Sequence, residues 1–177
     1  ISMGCGVHCP AIKIDQDWGL DDPVGHQLSV YEDTAAEIEK RIKDVLAHGK
    51  YIMGPEVYEL EEKLADYCGV KHAISCSSGT DALLIPLMAW GVGPGDAVFT
   101  TPFTYAATAE VISILGATPV FVDVYESTFN IDCEKLEVEI NRVISEGKLN
   151  PKAIIAVDLF GLPARYHIIN NIAKKYD

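Results

Sequence analysis

Hydrophobic and polar positions change rhythm along the chain. From Tyr31 to His48 the apolar residues Ala35, Ile38, Ile42, Val45 and Leu46 recur every three or four positions with charges between them, and Gly49 follows. That spacing predicts an amphipathic helix with a glycine stop. A second helix is expected from about Glu56 to Tyr67, entered through Gly54-Pro55 and ended by Gly69, with Val57, Leu60, Leu64 and Tyr67 on one face. Beyond it, short apolar runs alternate with longer helical ones. The pattern predicts strands over His72–Ser77, Ala97–Thr101, Pro119–Val124 and Ala153–Leu159, and helices over Thr80–Trp90, Tyr105–Leu115, Cys133–Ile144 and Tyr166–Tyr176. Strands that alternate with helices of this length imply crossover connections, hence an α/β fold with a mostly parallel sheet and flanking helices. Residues 1–28, rich in Gly, Pro, Asp and Cys, hold no sustained period and read as loop. The expected organisation is a separate segment 1–28 followed by one α/β region, 29–177.

Composition narrows the partners. Fourteen Lys and Arg against 26 Asp and Glu give a formal charge of -12 over 177 residues, which repels a phosphate backbone and argues against nucleic acid. No run reaches the ~20 apolar residues of a membrane span, so no membrane partner is expected. Five cysteines, Cys5, Cys9, Cys68, Cys76 and Cys133, are an odd number without the density of a disulfide scaffold. With no secretory pattern at the N-terminus, they point to a reducing, cytoplasmic setting.

Three loops carry candidate chemistry. Ser77-Ser78-Gly79-Thr80-Asp81 passes straight into the helical run from Ala82. Such a turn aims free backbone N–H groups and hydroxyls at one point, and the helix start adds partial positive charge, so it can hold an anion such as phosphate. Plain capping by Ser78, Thr80 or Asp81 is the competing reading. The loop has neither the Gly-Lys-Ser/Thr ending of a Walker motif nor three dinucleotide glycines. Phe103 and Tyr105 follow the second strand at the edge where ligands collect in open α/β sheets, although core packing is the commoner fate of such rings. Asp158 lies at the corresponding edge after the fourth strand, where capping of the next turn is the simpler role.

Taken together, Tyr51–Glu56, Ser77–Leu83, Gly93–Asp96, Thr101–Glu110, Leu115–Asp123 and Val157–Gly161 resemble, in order, the DegT/StrS-type sugar aminotransferases over about residues 29–177. The resemblance implies part of the large domain of a fold-type I pyridoxal-phosphate (PLP) enzyme. It implies a nucleotide-linked keto-sugar as substrate, as in cell-surface polysaccharide or amino-sugar biosynthesis, and an amino-acid donor, usually glutamate. By position it gives Gly79 and Thr80 to the cofactor phosphate, Tyr105 to stacking on the pyridine ring, and Asp158 to a polar site near the cofactor or sugar. The family's usual Gly-Gln-Pro is here Gly161-Leu162-Pro163.

None of the eleven lysines sits in the family's Schiff-base context, and the pyridine-nitrogen carboxylate motif falls beyond Asp177, so no catalytic residue is assigned. The chain is expected to be an incomplete aminotransferase, inactive alone, that works as a homo-oligomer or with a complementing chain. A non-catalytic α/β assembly domain is the reading that the missing lysine favours.

The front segment differs. Ser2–Pro10 followed by Asp17–Gly25 resembles the C-terminal tail of thioredoxin-linked arsenate reductases of the low-molecular-weight phosphatase fold. That resemblance implies a redox pair of Cys5 and Cys9 and an alternative function as a dithiol module. A metal site from Cys5, His8 and Cys9 lacks an evident fourth ligand, so no metal is expected.

Overall fold

In the computed structural model, residues 24–176 are described. They divide into two compact units, with the boundary between Ser75 and Cys76.

The first unit contains α1 (Leu28–His48) and α2 (Pro55–Cys68). Both end as the sequence predicts. Gly49 and Gly69 adopt left-handed φ of 67° and 65°, and their N–H groups return to the last helical carbonyls. Pro55 opens α2, where its missing N–H costs no helical bond. The expected apolar stripes form but stay largely uncovered: no residue of α1 is buried, and on α2 only Ala65 is. Ile38, Ile42 and Leu46 are all exposed.

The second unit is a three-layer α/β sandwich. It runs α3 (Gly79–Ala89), β1 (Asp96–Thr100), α4 (Ala107–Ile114), β2 (Thr118–Phe121), α5 (Cys133–Glu146), β3 (Asn150–Ile154), a short 3-10 turn (Leu159–Gly161) and α6 (Tyr166–Lys175). The strands lie in the order β2-β1-β3, all parallel. The step from β1 to β2 and the longer step from β2 to β3 cross the sheet in opposite directions. Right-handed crossovers therefore place α4 and α5 on opposite faces, and the two cores show this. Ala97, Phe99, Val120 and Val122 pack against α5 and α6 through Leu136, Ile140, Val143, Ile169 and Ile172. Val98 faces the other way, towards Leu87 of α3 and Val111 and Ile112 of α4. The central strand β1 is buried on both faces, which explains its unbroken apolar run.

Two strand expectations need correction. His72–Ser77 forms no strand. The Ser75 N–H and hydroxyl both donate to the Glu61 carboxylate of α2, at 2.7 Å each, and Ile74 stands 81% exposed. Without a neighbouring ladder, β-propensity alone does not make a strand. The fourth strand, expected over 153–159, begins instead at Asn150, whose N–H donates to the Gly95 carbonyl at 2.8 Å. A register shift opposite Ala97 and Val98 accommodates Pro151, which has no N–H to offer. Among the described residues no helix is long and apolar enough to cross a membrane.

Candidate functional site

The start of α3 is built as the sequence predicts, with a division of labour. Ser78 is the N-cap, its hydroxyl oxygen accepting the Asp81 N–H at 3.1 Å. The Asp81 carboxylate in turn accepts from the hydroxyls of Ser77 and Ser78. The Ala82 N–H goes to the Ser78 carbonyl at 3.0 Å. Capping therefore takes the third N–H of the helix and the first helical bond takes the fourth, and those of Gly79 and Thr80 have no intrahelical acceptor. A Cβ built on Gly79 would meet nothing within 4 Å, and its φ is not left-handed. Neither backbone strain nor internal packing requires a glycine there. Its bare face leaves room for a ligand to approach the two open N–H groups. On a chain of charge -12, this helix start is a local positive site that an anion can use.

The second part of the site lies at the carboxyl edge of the sheet. The segment after β1 carries Phe103 and Tyr105, and that after the neighbouring β3 carries Asp158 and Phe160. Core packing is the commoner fate of such rings, yet Tyr105 is 80% exposed and Phe103 about half so. The threonines that follow β1 explain why. Thr101 donates its hydroxyl to the Phe103 carbonyl at 3.2 Å, and the Thr104 and Thr108 hydroxyls lie 2.9 Å apart, turning the chain outward before α4. Phe103 meets Phe129 at 5.4 Å and Phe160 at 6.4 Å between ring centroids, edge to face or tilted. The two strand-end loops therefore touch.

Asp158 does not cap the turn that follows it: its side chain makes no capping bond to Leu159–Gly161 and reaches forward instead. Oδ1 accepts from the Ala164 N–H and from the Tyr166 hydroxyl, both at 2.9 Å. Burial, then this contact, hold the Tyr166 phenol above its usual range. No hydrogen bond or ring contact among the described residues joins Gly79 or Thr80 to Tyr105 or Asp158. They share the unit through α3 packing on α4, which begins two residues after Tyr105.

Sequence reasoning missed the residues that fix these loops. Asn130, in the turn before α5, bonds the backbone at Leu159, Leu162 and Pro163. Tyr125 accepts the Cys133 N–H at 3.1 Å, and the Arg165 guanidinium lies 4.7 Å over its ring. Burial raises both the Tyr125 phenol and the Cys133 thiol above their usual ranges. The only hints in the sequence were an Asn beside Phe129 and a lone Arg after Pro163-Ala164. Cys5 and Cys9 lie outside the described residues. Among the described residues no group of three or more His, Cys, Asp or Glu is placed to hold a metal ion.

The model of the DegT/DnrJ/EryC1/StrS aminotransferase family matches residues 32–177. The UDP-2-acetamido-2-deoxy-3-oxo-D-glucuronate aminotransferase of Pseudomonas aeruginosa is 52% identical over 140 residues, or 79% of this chain and 37% of that protein. A DegT DnrJ EryC1 StrS aminotransferase from Brucella abortus superposes with a TM-score of 0.75 at 55% identity, covering 80% of this chain and 39% of that one. NtdA from Bacillus subtilis with bound cofactor PMP superposes with a TM-score of 0.69 at 32% identity, covering 81% of this chain and 32% of the other. The chain thus spans well under half the length of the relatives it matches.

Proposed function

This chain belongs to the DegT/DnrJ/EryC1/StrS aminotransferase family, and from that membership we propose that it supplies the phosphate- and ring-binding part of a PLP-dependent aminotransferase acting on a nucleotide-linked keto-sugar. The observation that carries the reading is the start of α3, where two backbone N–H groups stand open beside a glycine whose missing side chain nothing in the protein replaces. When bound, PLP supplies the electron sink through which an amino group moves between an amino acid and a keto-sugar. The protein's own part here is binding. Gly79 and Thr80 hold the phosphate through their N–H groups and the half-buried Thr80 hydroxyl, and the field of the helix start favours the anion. Tyr105 lays its exposed ring against the planar cofactor and leaves the cofactor's edges free. Asp158 keeps the loop closed through Oδ1, and this reading gives its other oxygen to the cofactor or sugar. This reading assigns the covalent role to none of the chain's lysines.

The substrates in this reading are a nucleotide-sugar and an amino-acid donor, consistent with the P. aeruginosa relative's name. The uncovered apolar positions of α1 support assembly with a second copy or a complementing chain. Among the described residues Cys68, Cys76 and Cys133 are unpaired thiols, which suits a cytoplasmic setting. The family match begins at residue 32, in keeping with residues 1–28 as a separate segment; the pairing of Cys5 and Cys9 in it rests on the sequence resemblance alone. Mass spectrometry after mild oxidation should then show two hydrogens lost from the peptide that bears both.

Thermal unfolding with PLP, pyridoxal lacking the phosphate, and inorganic phosphate tests the main reading. A ligand at a hundredfold its dissociation constant stabilises by about 2.7 kcal/mol. PLP should raise the midpoint, pyridoxal far less, and Tyr105→Ala should weaken the PLP response while sparing that to phosphate. No shift with PLP, or an equal one with pyridoxal, rules the reading out.

A further inference from the structure

Asn130 is 4% exposed and belongs to none of the motifs that carry the family resemblance. Its side chain spends both of its chemistries on one distant loop. Nδ2 donates to the Leu162 carbonyl at 2.9 Å and to the Pro163 carbonyl at 3.3 Å, and Oδ1 accepts the Leu159 N–H at 3.2 Å. Two carbonyls on one side and an N–H on the other allow a single orientation of the amide. We propose that Asn130 is the positioning residue of the cofactor-side site, the group that sets where Asp158 and Phe160 stand. The proposal rests on the binding role given above to Asp158.

The loop needs an outside hold because its backbone is unfavourable by itself. Phe160 and Gly161 are consecutive left-handed residues, with φ of 54° and 79°. A bulky side chain in that region is strained and persists only where surrounding contacts over-determine it. Within the loop, Gly161 N–H reaches the Asp158 carbonyl and Leu162 N–H the Leu159 carbonyl, both at 3.1 Å. Those bonds close the turn on itself without attaching it to the sheet. Asp158 Oδ1 ties the loop forward to Ala164 and Tyr166, and Asn130 ties it sideways to the opposite turn.

That turn is itself anchored. The Tyr125 N–H donates to the Asn130 carbonyl at 3.0 Å, Val124 and Ile131 form an antiparallel bridge, and Ile131 is buried in the core against α5. The same turn presents Phe129, φ 57°, to Phe103, which meets Phe160 in turn. One buried amide therefore fixes the register between the aromatic cluster and the Asp158 carboxylate. Few side chains can replace it. Aspartate keeps the acceptor for Leu159 but turns lone pairs on two carbonyls, and serine is too short to span three backbone groups.

Backbone hydrogen exchange and PLP titration on the whole chain test this with Asn130→Ala and Asn130→Asp. In Asn130→Ala the amides of Leu159, Gly161, Leu162 and Ala164 should exchange at least about tenfold faster while those of β1 and α5 keep their protection. The PLP dissociation constant should rise at least about threefold. In Asn130→Asp both effects should appear at pH 7 and recede towards pH 5, because a buried aspartate titrates above its ordinary range and, once protonated, donates to Leu162 again. That recovery is a signature that loss of packing alone would not give. Unchanged exchange at 159–164, a uniform loss of protection through β1 and α5, or unaltered PLP affinity despite a loosened loop each overturns the proposal. If the parent chain itself ignores PLP, the cofactor reading falls, and the exchange pattern with its pH recovery still decides the role of Asn130.

Discussion

Gly79→Ala separates the two reasons a helix might begin with glycine. Gly79 is the first residue of α3, its φ is not left-handed, and an added Cβ meets no protein atom within 4 Å. A glycine that the fold needed would lose stability on the change, whereas at this open position the variant should gain, since alanine restricts the unfolded chain at no cost to the folded one. The gain at a compatible site is about 0.4–1 kcal/mol. For a domain the size of the second unit, each kcal/mol moves the midpoint by about 4–8 °C, so the unliganded variant should melt about 2–8 °C higher. A phosphate drawn up to the N–H groups of Gly79 and Thr80 occupies the space the methyl would take, and PLP should then bind at least tenfold more weakly, about 1.4 kcal/mol. Paired thermal melts with and without PLP measure both quantities on one sample. A variant more stable when empty and less responsive to PLP fits the site. One that binds PLP as well as the parent refutes a close approach of the phosphate to Gly79, and one that melts lower refutes the structural premise.

Other consequences follow from the packing and charges. Leu136 is fully buried between α5 and the sheet, so Leu136→Ala should cost about 2–5 kcal/mol in urea unfolding, with the spread set by how far the site collapses. Hydrogen bonding to Lys135 lowers the Asp123 carboxyl below 3.8, and the same bond raises the Lys135 ammonium above 10.5. The contribution of the pair is present between those values. It is lost as pH falls through the depressed folded value of Asp123 or rises through the elevated one of Lys135. Lys135→Met should therefore lower the midpoint slightly near neutrality, and the difference should fade as pH falls through the depressed value of Asp123 and shrink in high salt. Cys68 and Cys76 are exposed, whereas Cys133 is buried with its thiol raised by burial. A thiol reagent at pH 8 should thus modify the first two on the folded chain and reach Cys133 only on unfolding.

The parts of the molecule that could be read in advance are those whose causes are local. Helix ends at Gly49 and Gly69 follow from a left-handed residue and a returning N–H, a cause contained in five consecutive residues. The start of α3 follows from Ser78 and Asp81, three apart. Strand β1 follows from an apolar run with room for cover on both faces. Where the cause is a partner, the same reasoning fails. His72–Ser77 has strand composition, but whether it pairs depends on a neighbour, and the carboxylate of Glu61, fourteen residues back, takes the Ser75 N–H instead.

Tyr105 shows position outweighing average behaviour. A large ring favours burial on transfer free energy, and only its place in the family pattern spoke for an exposed ring. The turn imposed by the Thr101 and Thr104 hydroxyls faces it outward at the edge where a ligand would lie. Asn130 was beyond reach altogether, since one asparagine forms no period and its three partners lie 29 to 33 residues away. The division is instructive about the site itself. The anion-binding element proposed for it is local, fixed by residues next to one another at the start of α3. Its geometry at Asp158 and Phe160 exists only if the β2–α5 turn and the loop after β3 are brought together by the completed sheet. Partial unfolding that releases β3 should therefore abolish the Asp158 side of the site while leaving a helix start still able to bind phosphate.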